Sequence, residues 1–445
     1  MLKRKFLGNL RLSHHKNTAD MSPVRMTPPQ EILLPMDQHI GAPATPVVKV
    51  GDTVRVGQLV AEATGAVSAP IYASVSGKVT KIENTLRVNG KSVPTIRIEN
   101  DGEMTAFDGI TPPTVTDLDS FLDAVRKSGV VGMGGAGFPT GVKLDFLKKN
   151  SVHTVILNGA ECEPYITSDA RTMTDEADYV YAGIKLLQKV APEIKKYIIG
   201  IEKNKPECIE ILSNITKDDP SVSIVPLPLL YPQGAEKILI YNTTGITVPE
   251  GCLPSEVGTL VLNVTTLAVI AKYVETGMPL VERCVTVDGS AIAEPKNVIV
   301  PIGASVADVI NFAGGLKEPH CKVIMGGPMT GHAVYDLTEP VIKTTNAILA
   351  FNEKETFGKK VTACIHCGKC VEICPNNLNP TSFVKALKAD TVDERMALLE
   401  DAHVNLCMEC GCCAYVCPAA RPLAENIRVA KNSLREYKAH KASLK

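Results

Sequence analysis

The chain has 445 residues, of which 21% are charged and 45% are apolar, and its formal net charge is −1. At roughly 100–200 residues per domain, this length predicts about two to four domains. The composition excludes a disordered chain. The balanced charge, the lack of tryptophan and the low aromatic content of 4% argue against a protein that binds nucleic acid.

Residues 1–30 are polar and contain prolines, and we interpret them as an extended arm. The arm begins with Lys3-Arg4-Lys5, which is better explained as an exposed start than as a membrane-surface anchor. No apolar segment followed by a cleavage site is present, so we expect no signal peptide. The most apolar stretch, Leu260 to Ala271, is too short to span a bilayer. We therefore expect a cytosolic chain with reduced thiols.

Residues 31–110 show short β-branched runs separated by glycine turns, as in Val54-Arg55-Val56-Gly57-Gln58. This pattern resembles the barrel-sandwich hybrid of lipoyl and biotinyl carrier domains. A carrier presents a lysine at the tip of a hairpin, but residues 64–68 here contain none. The sequence therefore predicts a barrel-sandwich module that is not acylated.

Residues 115–278 alternate between helical and strand patterns, which predicts an α/β domain with a mostly parallel, Rossmann-like sheet. The final helix is expected over Leu260–Thr276 and ends at Gly277. The other expected helices and strands are, in chain order, Asp117–Lys127, Thr154–Leu157, Glu176–Val190, Tyr197–Ile201, Pro206–Asn214 and Val222–Pro226.

Residues 279–352 return to short strands around one helix, Ser305–Phe312, and predict a β-grasp module of the SLBB type. Residues 353–445 combine helical segments with most of the cysteines, and predict an α-helical ferredoxin domain. Its expected helices are Thr381–Lys388, Thr391–Asp401 and Leu423–Tyr437.

Eight of the fourteen cysteines form a C-x2-C-x2-C-x3-C-P motif and its copy 43 residues later. This spacing is typical of bacterial proteins that hold two [4Fe–4S] clusters, in which the fourth cysteine of each run ligates the other cluster. A pair of zinc sites is the weaker alternative, because zinc rarely uses this doubled pattern. Cys412 and His366 lie off the pattern and are expected to be bystanders. The predicted ligand sets are Cys364, Cys367, Cys370 and Cys417 for one cluster, and Cys374, Cys407, Cys410 and Cys413 for the other.

A glycine-rich segment from Gly129 to Thr140 contains a G-x-G-x-x-G string. It follows a predicted helix rather than a strand, which disfavours the usual nicotinamide-binding Rossmann motif. Such a loop can still bring backbone N–H groups against a phosphate. A flexible surface loop is the alternative.

Four segments resemble, in this order, the flavin- and NADH-binding subunit of respiratory complex I. They are the glycine-rich segment, Asn158-Gly159-Ala160-Glu161-Cys162-Glu163-Pro164, Tyr231-Pro232-Gln233-Gly234-Ala235-Glu236 and Leu262-Asn263-Val264-Thr265-Thr266. The resemblance implies FMN contacts from Gly132, Gly134, Gly135, Gly137, Lys143, Asn158, Glu161 and Asn263. It implies NADH contacts from Phe138, by stacking, and from Glu163 and Glu236. Three polar residues of that family are replaced here by Ala160, Ala235 and Leu262.

The whole domain order resembles the RnfC family, the peripheral subunit of an ion-translocating ferredoxin:NAD oxidoreductase complex. The resemblance covers nearly all of residues 30–430. It implies two [4Fe–4S] clusters, FMN and NAD(H), with electrons passing between the clusters and NAD through the flavin and no acid–base catalytic residue. It also implies membrane-embedded and ferredoxin-like partner subunits, ferredoxin as an indirect partner, and a peripheral position at the cytoplasmic face of the membrane.

Two other functions remain open on the sequence alone. A cobalamin reductase-type protein would share the flavin domain and the cluster pair, but the amino-terminal position of the barrel-sandwich module argues against it. A two-cluster relay without flavin is the second alternative, which the replacements at Ala160, Ala235 and Leu262 keep open.

Overall fold

The computed structural model describes residues 8–149, 151–319, 321–356, 358 and 360–443. The basic start at Lys3-Arg4-Lys5 lies outside the described residues. The rest of the arm runs along the other modules: Leu10 pairs with Tyr231 through two backbone hydrogen bonds of 2.8 Å, and the short strand β1 (Val24–Arg25) joins the sheet of the β-grasp module. The arm is extended, as the sequence predicts, and it crosses from one module to another.

The barrel-sandwich module consists of two antiparallel sheets that face each other, with strand orders β2-β8-β7-β4 and β3-β5-β6. Alternating side chains of the strands, such as Ile32 and Leu34 or Ile96 and Ile98, point into a shared core and are fully buried. The strands are β2 (Glu31–Pro35), β3 (Thr45–Pro46), β4 (Thr53–Val54), β5 (Leu59–Glu62), β6 (Ile71–Tyr72), β7 (Gly77–Leu86) and β8 (Ser92–Asn100).

The central domain is a parallel four-stranded sheet with the order β11-β10-β9-β12, covered by helices. Its strands are nearly continuous apolar runs because both faces are buried. The helices are α1 (Leu118–Lys127), α2 (Thr140–Leu144), α3 (Phe146–Lys149), α4 (Ser168–Asp175), α5 (Ala177–Val190), α6 (Pro206–Thr216), α7 (Glu236–Thr244) and α8 (Val264–Thr276). The strands are β9 (Thr154–Gly159), β10 (Lys196–Glu202), β11 (Val222–Leu227) and β12 (Thr259–Asn263), and a 3-10 turn spans Pro254–Val257.

The prediction of one helix over Leu260–Thr276 is wrong for its first turn. Residues Thr259–Asn263 form β12, which pairs with β9 in parallel, and α8 begins only at Val264. The side chain of Asn263 caps this helix by accepting a 3.0 Å hydrogen bond from the Thr266 N–H. The buried sheet edge offers the apolar run of β12 a ladder of hydrogen bonds, which a helical pattern in the sequence cannot reveal.

The β-grasp module packs α9 (Val306–Phe312) against a sheet with the order β1-β14-β13-β17-β15-β16. Its central strands β13 and β17 run parallel and the neighbouring pairs are antiparallel, apart from the arm strand β1, which is parallel to β14. The remaining strands of this module are β13 (Glu282–Asp288), β14 (Lys296–Pro301), β15 (Cys321–Met325), β16 (His332–Val334) and β17 (Ala347–Asn352).

The carboxy-terminal domain is helical and encloses a small core that includes Phe383, Leu399 and Leu434. The long last helix packs against two of the helices between the cysteine motifs. The helices are α10 (Glu353–Thr356), α11 (Lys369–Glu372), α12 (Pro380–Ala386), α13 (Val392–Asp401), α14 (Cys412–Tyr415) and α15 (Leu423–Ser443), with a 3-10 turn at Val404–Leu406.

Candidate functional site

The glycine-rich segment forms a closed loop after α1. The N–H of Gly132 donates to the Phe138 carbonyl at 2.8 Å, and the N–H of Gly137 donates to the Gly132 carbonyl at 3.1 Å. Gly135 and Gly137 have φ angles of +108° and +67°, which side-chain-bearing residues rarely adopt. Residues 134–136 at the tip are exposed, and a Cβ at Gly135 would meet nothing within 4 Å. The tip therefore presents bare backbone to open space, which fits a bound phosphate or ring.

The loop lies over the carboxyl ends of the parallel strands, where ligands bind in open α/β sheets. Asn158 and Asn263 are register partners at the ends of β9 and β12. A Cβ on Gly134 would approach the Asn263 Nδ2 atom to 3.2 Å. The Asn263 amide also donates to the Asp169 carboxylate at 2.7 Å, and the Asn158 amide donates to the Gly234 carbonyl at 2.9 Å. The two asparagines predicted to contact FMN thus lie at one edge of the sheet.

Three further predicted contacts lie around this loop. The Lys143 ammonium, on α2, pairs with the Glu236 carboxylate, at the start of α7, at 2.6 Å. The two side chains keep exposed fractions of 27% and 40%, so both are accessible to a ligand. Phe138 follows the glycines and is half-buried. The predicted FMN contact Lys143 and the predicted NADH contact Glu236 are therefore direct neighbours.

Glu161 follows β9 on a left-handed backbone with φ of +48°. One carboxylate oxygen, Oε1, accepts a 2.6 Å hydrogen bond from the Asp169 N–H. The other, Oε2, is buried without a hydrogen-bond partner among the described residues. The Lys16 ammonium of the arm lies 3.9 Å from it. Burial raises the pKa of Glu161, against the opposing charges of Lys16 and Lys205. An orphaned carboxylate oxygen beside the glycine loop fits a site that a polar ligand completes.

Lys16 was not predicted from sequence as a site residue. Its ammonium donates to the carbonyls of Glu161, Glu163 and Ile166 at 2.9, 2.9 and 2.5 Å. Burial lowers the pKa of Lys16 to about 8, so burial shifts both Lys16 and Glu161 toward their neutral forms. A lysine of the arm thus supports the loop that follows β9. No motif reveals it, because it lies 145 residues from its partner Glu161.

Glu163 lies at the contact of three modules rather than in the open space above the glycine tip. Its carboxylate accepts hydrogen bonds from the Met329 N–H at 3.0 Å and the Thr330 hydroxyl at 2.6 Å. The Tyr231 hydroxyl lies 3.4 Å away. Burial raises the pKa of Glu163. In this structure the carboxylate is engaged by the β-grasp module, and its predicted contact with NADH stays a prediction.

Two buried cations of the β-grasp module support the glycine loop from below. The Lys343 ammonium donates to the carbonyls of Gly129, at 2.7 Å, and of Pro70, at 2.5 Å. The Arg283 guanidinium donates to the Met133 carbonyl at 3.2 Å. Burial lowers the pKa of Lys343 to about 7 and that of Arg283 to about 10. Neither forms an ion pair with a carboxylate of the described residues. Charged residues inside apolar strand and loop segments were the only sequence signal for them.

The three replaced residues occupy packing positions. Ala160 and Leu262 are 0% and 3% exposed and belong to apolar clusters beside the sheet. Ala235 precedes α7, and its carbonyl accepts the Leu239 N–H. The site therefore keeps its backbone and amide groups, and the replacements remove side-chain polarity only.

The first predicted ligand set lines one cavity of about 210 Å³, which we call the outer cavity. Cys417 of the second motif lies there with Cys364, Cys367 and Cys370 of the first. The His366 N–H points to the Cys364 sulfur at 3.4 Å. His366 itself is exposed, as expected of a bystander. The four sulfurs thus share a space that fits an iron–sulfur cluster.

The second set lines a separate cavity, the inner cavity, where Cys374 joins Cys407, Cys410 and Cys413. Backbone N–H groups of Leu378 and Glu409 point to the sulfurs of Cys374 and Cys407 at 3.3 and 3.4 Å. Such N–H···S contacts stabilise sulfur-borne negative charge. Burial raises the pKa of Cys407 to about 11 and that of Cys413 to about 12. Iron must therefore displace protons when it binds these thiols.

The inner cavity adjoins the central domain. The Tyr231 hydroxyl donates to the Cys410 carbonyl at 2.8 Å. Cys412 is 1% exposed and packs in a cluster with Leu10 and Tyr231. A Cβ on Gly411 would come within 2.7 Å of the Met329 carbonyl, so only glycine fits between the two modules. The second cysteine motif is therefore docked on both the central domain and the β-grasp module.

A parallel α/β domain with a phosphate-type loop and a helical domain with two four-cysteine cavities together define a flavin- and iron–sulfur-binding electron-transfer protein. Family comparisons agree with each module. The Nuo51 FMN-binding domain matches residues 125–272 and the 4Fe-4S dicluster domain matches residues 363–420. The RnfC barrel sandwich hybrid domain matches residues 4–103 and the SLBB domain matches residues 284–333.

The chain belongs to the RnfC family, as its curated relatives show. One relative is the RnfC-type protein of the proton-translocating ferredoxin:NAD(+) oxidoreductase complex of Clostridium ljungdahlii. The two are 43% identical over 86% of this chain and 84% of the relative. Another belongs to the Na(+)-translocating ferredoxin:NAD(+) oxidoreductase complex of Acetobacterium woodii and is 44% identical over 91% of each chain. The predicted family is confirmed.

Among solved structures, an NAD+-reducing [NiFe]-hydrogenase in the H2-reduced state matches with a TM-score of 0.50 and 20% identity. The match covers 72% of this chain and 62% of the hydrogenase chain. This likeness concerns the fold alone. Across the part of the chain that the structure describes, no helix is both long and apolar enough to cross a bilayer.

Proposed function

We propose that the chain belongs to an ion-translocating ferredoxin:NAD oxidoreductase complex, in which it relays electrons between two [4Fe–4S] clusters and NAD(H) through FMN. Bound FMN supplies the exchange between single electrons and the two-electron hydride of a nicotinamide. The chain's own residues bind and position the groups. The observation that carries the proposal is that the glycine loop and the two cysteine cavities are joined in one chain by a direct contact, from Tyr231 to the Cys410 carbonyl.

The assignment of residues to FMN rests on the edge of the sheet. The exposed loop backbone at residues 134–136 would hold the phosphate-bearing part, with Lys143 as a cation beside it. Asn158 and Asn263 would hold the ring through their amides. Glu161 would contribute a carboxyl group whose raised pKa favours the protonated, hydrogen-bond-donating form. No residue of the site needs to act as a general acid or base, because the chain positions the groups and the redox chemistry belongs to the bound flavin.

The nicotinamide nucleotide would approach the same edge of the sheet from the side of Phe138 and Glu236. Phe138 is half-buried and follows the glycine tip, which suits a stacking contact. The Glu236 carboxylate is partly exposed and would exchange its Lys143 partner for a ribose hydroxyl. Glu163 would reach the nucleotide only if its bonds to Met329 and Thr330 were released.

The cysteine sets would bind one [4Fe–4S] cluster in each cavity, and the crossing of Cys374 and Cys417 between the motifs supports this grouping. The partners would be membrane-embedded and ferredoxin-like subunits, because ion translocation needs a pathway through a bilayer. We place the chain at the cytoplasmic face of the membrane in a peripheral position, where reduced thiols and NAD(H) are available.

An anaerobic titration of the purified chain with NADH tests the proposal. We expect a flavin absorption band that bleaches, followed by EPR signals from both clusters. Iron–sulfur absorption without flavin and without a response to NADH would instead support the two-cluster relay. A chain that reduces a corrinoid faster than it exchanges electrons with ferredoxin would favour the cobalamin reductase alternative.

A further inference from the structure

The two cysteine cavities differ in their surroundings. The outer cavity opens to solvent: Cys367 is exposed, and the neighbouring apolar side chains of Ile365 and Val361 are 67% and 57% exposed. The inner cavity is covered by other modules, and Cys412 and Cys413 beside it are 1% and 9% exposed. Exposed apolar side chains around a functional group mark an interaction site more often than single scattered ones do.

The charges around the outer cavity have one sign. Lys369 and Arg421 line it, and no described carboxylate does. Lys369 is exposed, and Arg421 is half-buried with one weak bond, to the Thr362 carbonyl at 3.4 Å. A rim of this kind attracts a partner with an acidic surface, and such steering raises the association rate.

The inner cavity has the opposite arrangement. The Glu409 carboxylate that lines it is paired with the Lys431 ammonium at 2.6 Å and lies 3.7 Å from the Arg428 guanidinium. Its charges are therefore neutralised within the chain. Its wall at Cys410 and Gly411 contacts Tyr231 and Met329, so it faces the flavin-type domain rather than a free surface.

We propose that the rim of the outer cavity, formed by Val361, Ile365, Lys369 and Arg421, docks an acidic protein that carries single electrons on an iron–sulfur cluster close to its own surface. This inference rests on the proposed function and adds an order to it. One electron passes from the reduced carrier to the oxidised cluster of the outer cavity, then to the inner one and on to the flavin domain. Each step oxidises one cluster and reduces the next, and no bond or proton is transferred.

A membrane surface is the other partner that apolar and basic side chains could meet. The position of the rim favours a protein carrier, because the exposed residues surround the mouth of a four-cysteine cavity, and lipid neither donates nor accepts electrons. An electron-transfer contact also suits a small patch, since redox encounters bury little surface and dissociate quickly.

Charge reversal at the rim tests the docking surface. The double variant Lys369→Glu, Arg421→Glu is compared with Lys385→Glu, Lys388→Glu, which makes the same charge change at exposed positions of the same domain that line neither cavity. A reduced bacterial two-[4Fe–4S] ferredoxin with an acidic surface is mixed anaerobically with each full chain in a stopped-flow instrument. We expect the second-order rate constant to fall at least about tenfold for the rim variant and less than about twofold for the control.

Three readouts make the result decisive. EPR of the reduced clusters shows that the variants fold and carry both clusters, and Ile365→Ser, which changes no charge, should also slow the reaction with ferredoxin. Equal rates in wild type and the rim variant, or equal losses in both double variants, would overturn the proposal. So would a rim variant that keeps its ferredoxin rate but loses binding to vesicles of phosphatidylglycerol and phosphatidylcholine.

The reduction of the clusters by NADH, recorded on wild type, separates this inference from the proposed function. If NADH reduces both clusters while the rim variant reacts normally with ferredoxin, the proposed function stands and the docking surface is wrong. If NADH reduces neither cluster while the rim variant alone slows ferredoxin, the rim is correct and the flavin route is wrong.

Discussion

The central α/β domain and the carboxy-terminal cysteine domain are stabilised by different means. The central sheet has apolar strands buried on both faces, such as β10, in which six of seven residues are buried. The cysteine domain has a small apolar core, and the cysteines of its two cavities pack against that core. The first can fold on apolar burial, whereas the second needs its metal clusters to satisfy the space that the sulfurs enclose. Cofactor loss should therefore affect the two regions unequally.

The largest expected effect comes from removing iron. Treatment of the reduced chain with a strong chelator should abolish amide-exchange protection in α12, α13 and α15 and leave β9 and β10 protected. Metal binding and folding are coupled where a domain's ligands point inward and its core is small. Hydrogen exchange read by mass spectrometry checks this. Uniform loss of protection in both regions, or none in either, would contradict the comparison.

The next effect concerns the glycine loop and its support by Lys343. The variant Lys343→Met removes the two hydrogen bonds to the carbonyls of Gly129 and Pro70. We expect FMN to bind roughly 5–10-fold more weakly, since a lost buried hydrogen bond costs about 1 kcal/mol. Fluorescence titration of flavin-free protein measures it, with the exposed Lys354→Met as the matched control. Unchanged affinity would mean that the loop holds its shape without the β-grasp module.

A smaller effect is expected in the pH dependence of the central domain. Burial raises the folded-state pKa of Glu161 above the ordinary value of about 4.3. The folded state therefore binds the proton more tightly, and the resulting stabilisation is present at low pH and is lost as the pH rises through the folded-state pKa.

Glu161→Gln should remove this contribution. Wild type should lose more central-domain stability than the variant between about pH 6.0 and 7.5, by roughly 1 kcal/mol. Exchange protection of β9 as a function of urea, at both pH values, gives the comparison. A variant with the same pH slope as wild type would show that Glu161 ionises in its ordinary range.

The smallest effect is expected at the contact between the two regions. Tyr231→Phe keeps the ring and removes the hydroxyl that donates to the Cys410 carbonyl. The loss of one such bond should cost about 1 kcal/mol. We expect faster amide exchange in α14 and little change in the central sheet. Tyr335→Phe, at a tyrosine that is 65% exposed, is the control. Equal exchange in both variants would mean that the regions are held together by apolar packing alone.

Much of the fold could be predicted because its patterns are local. The doubled cysteine spacing, the β-branched runs of the barrel-sandwich module and the alternation of the central domain each lie within short segments. The error at Leu260–Asn263 arose because an apolar run is compatible with helix and strand alike, and the neighbouring strand β9 decides between them. The predicted FMN contacts are grouped at one sheet edge, but their roles stay predictions.

The sequence by itself determined which chemistry this chain can hold, because ligand type and spacing within a motif are properties of neighbouring residues. Tertiary structure alone decided what surrounds that chemistry. Lys16, Arg283 and Lys343 support the flavin-type loops from modules that are distant in the chain. The folded arrangement also leaves one cysteine cavity open and covers the other. These properties depend on burial and on unpaired charge, which arise only when distant segments come together and exclude water.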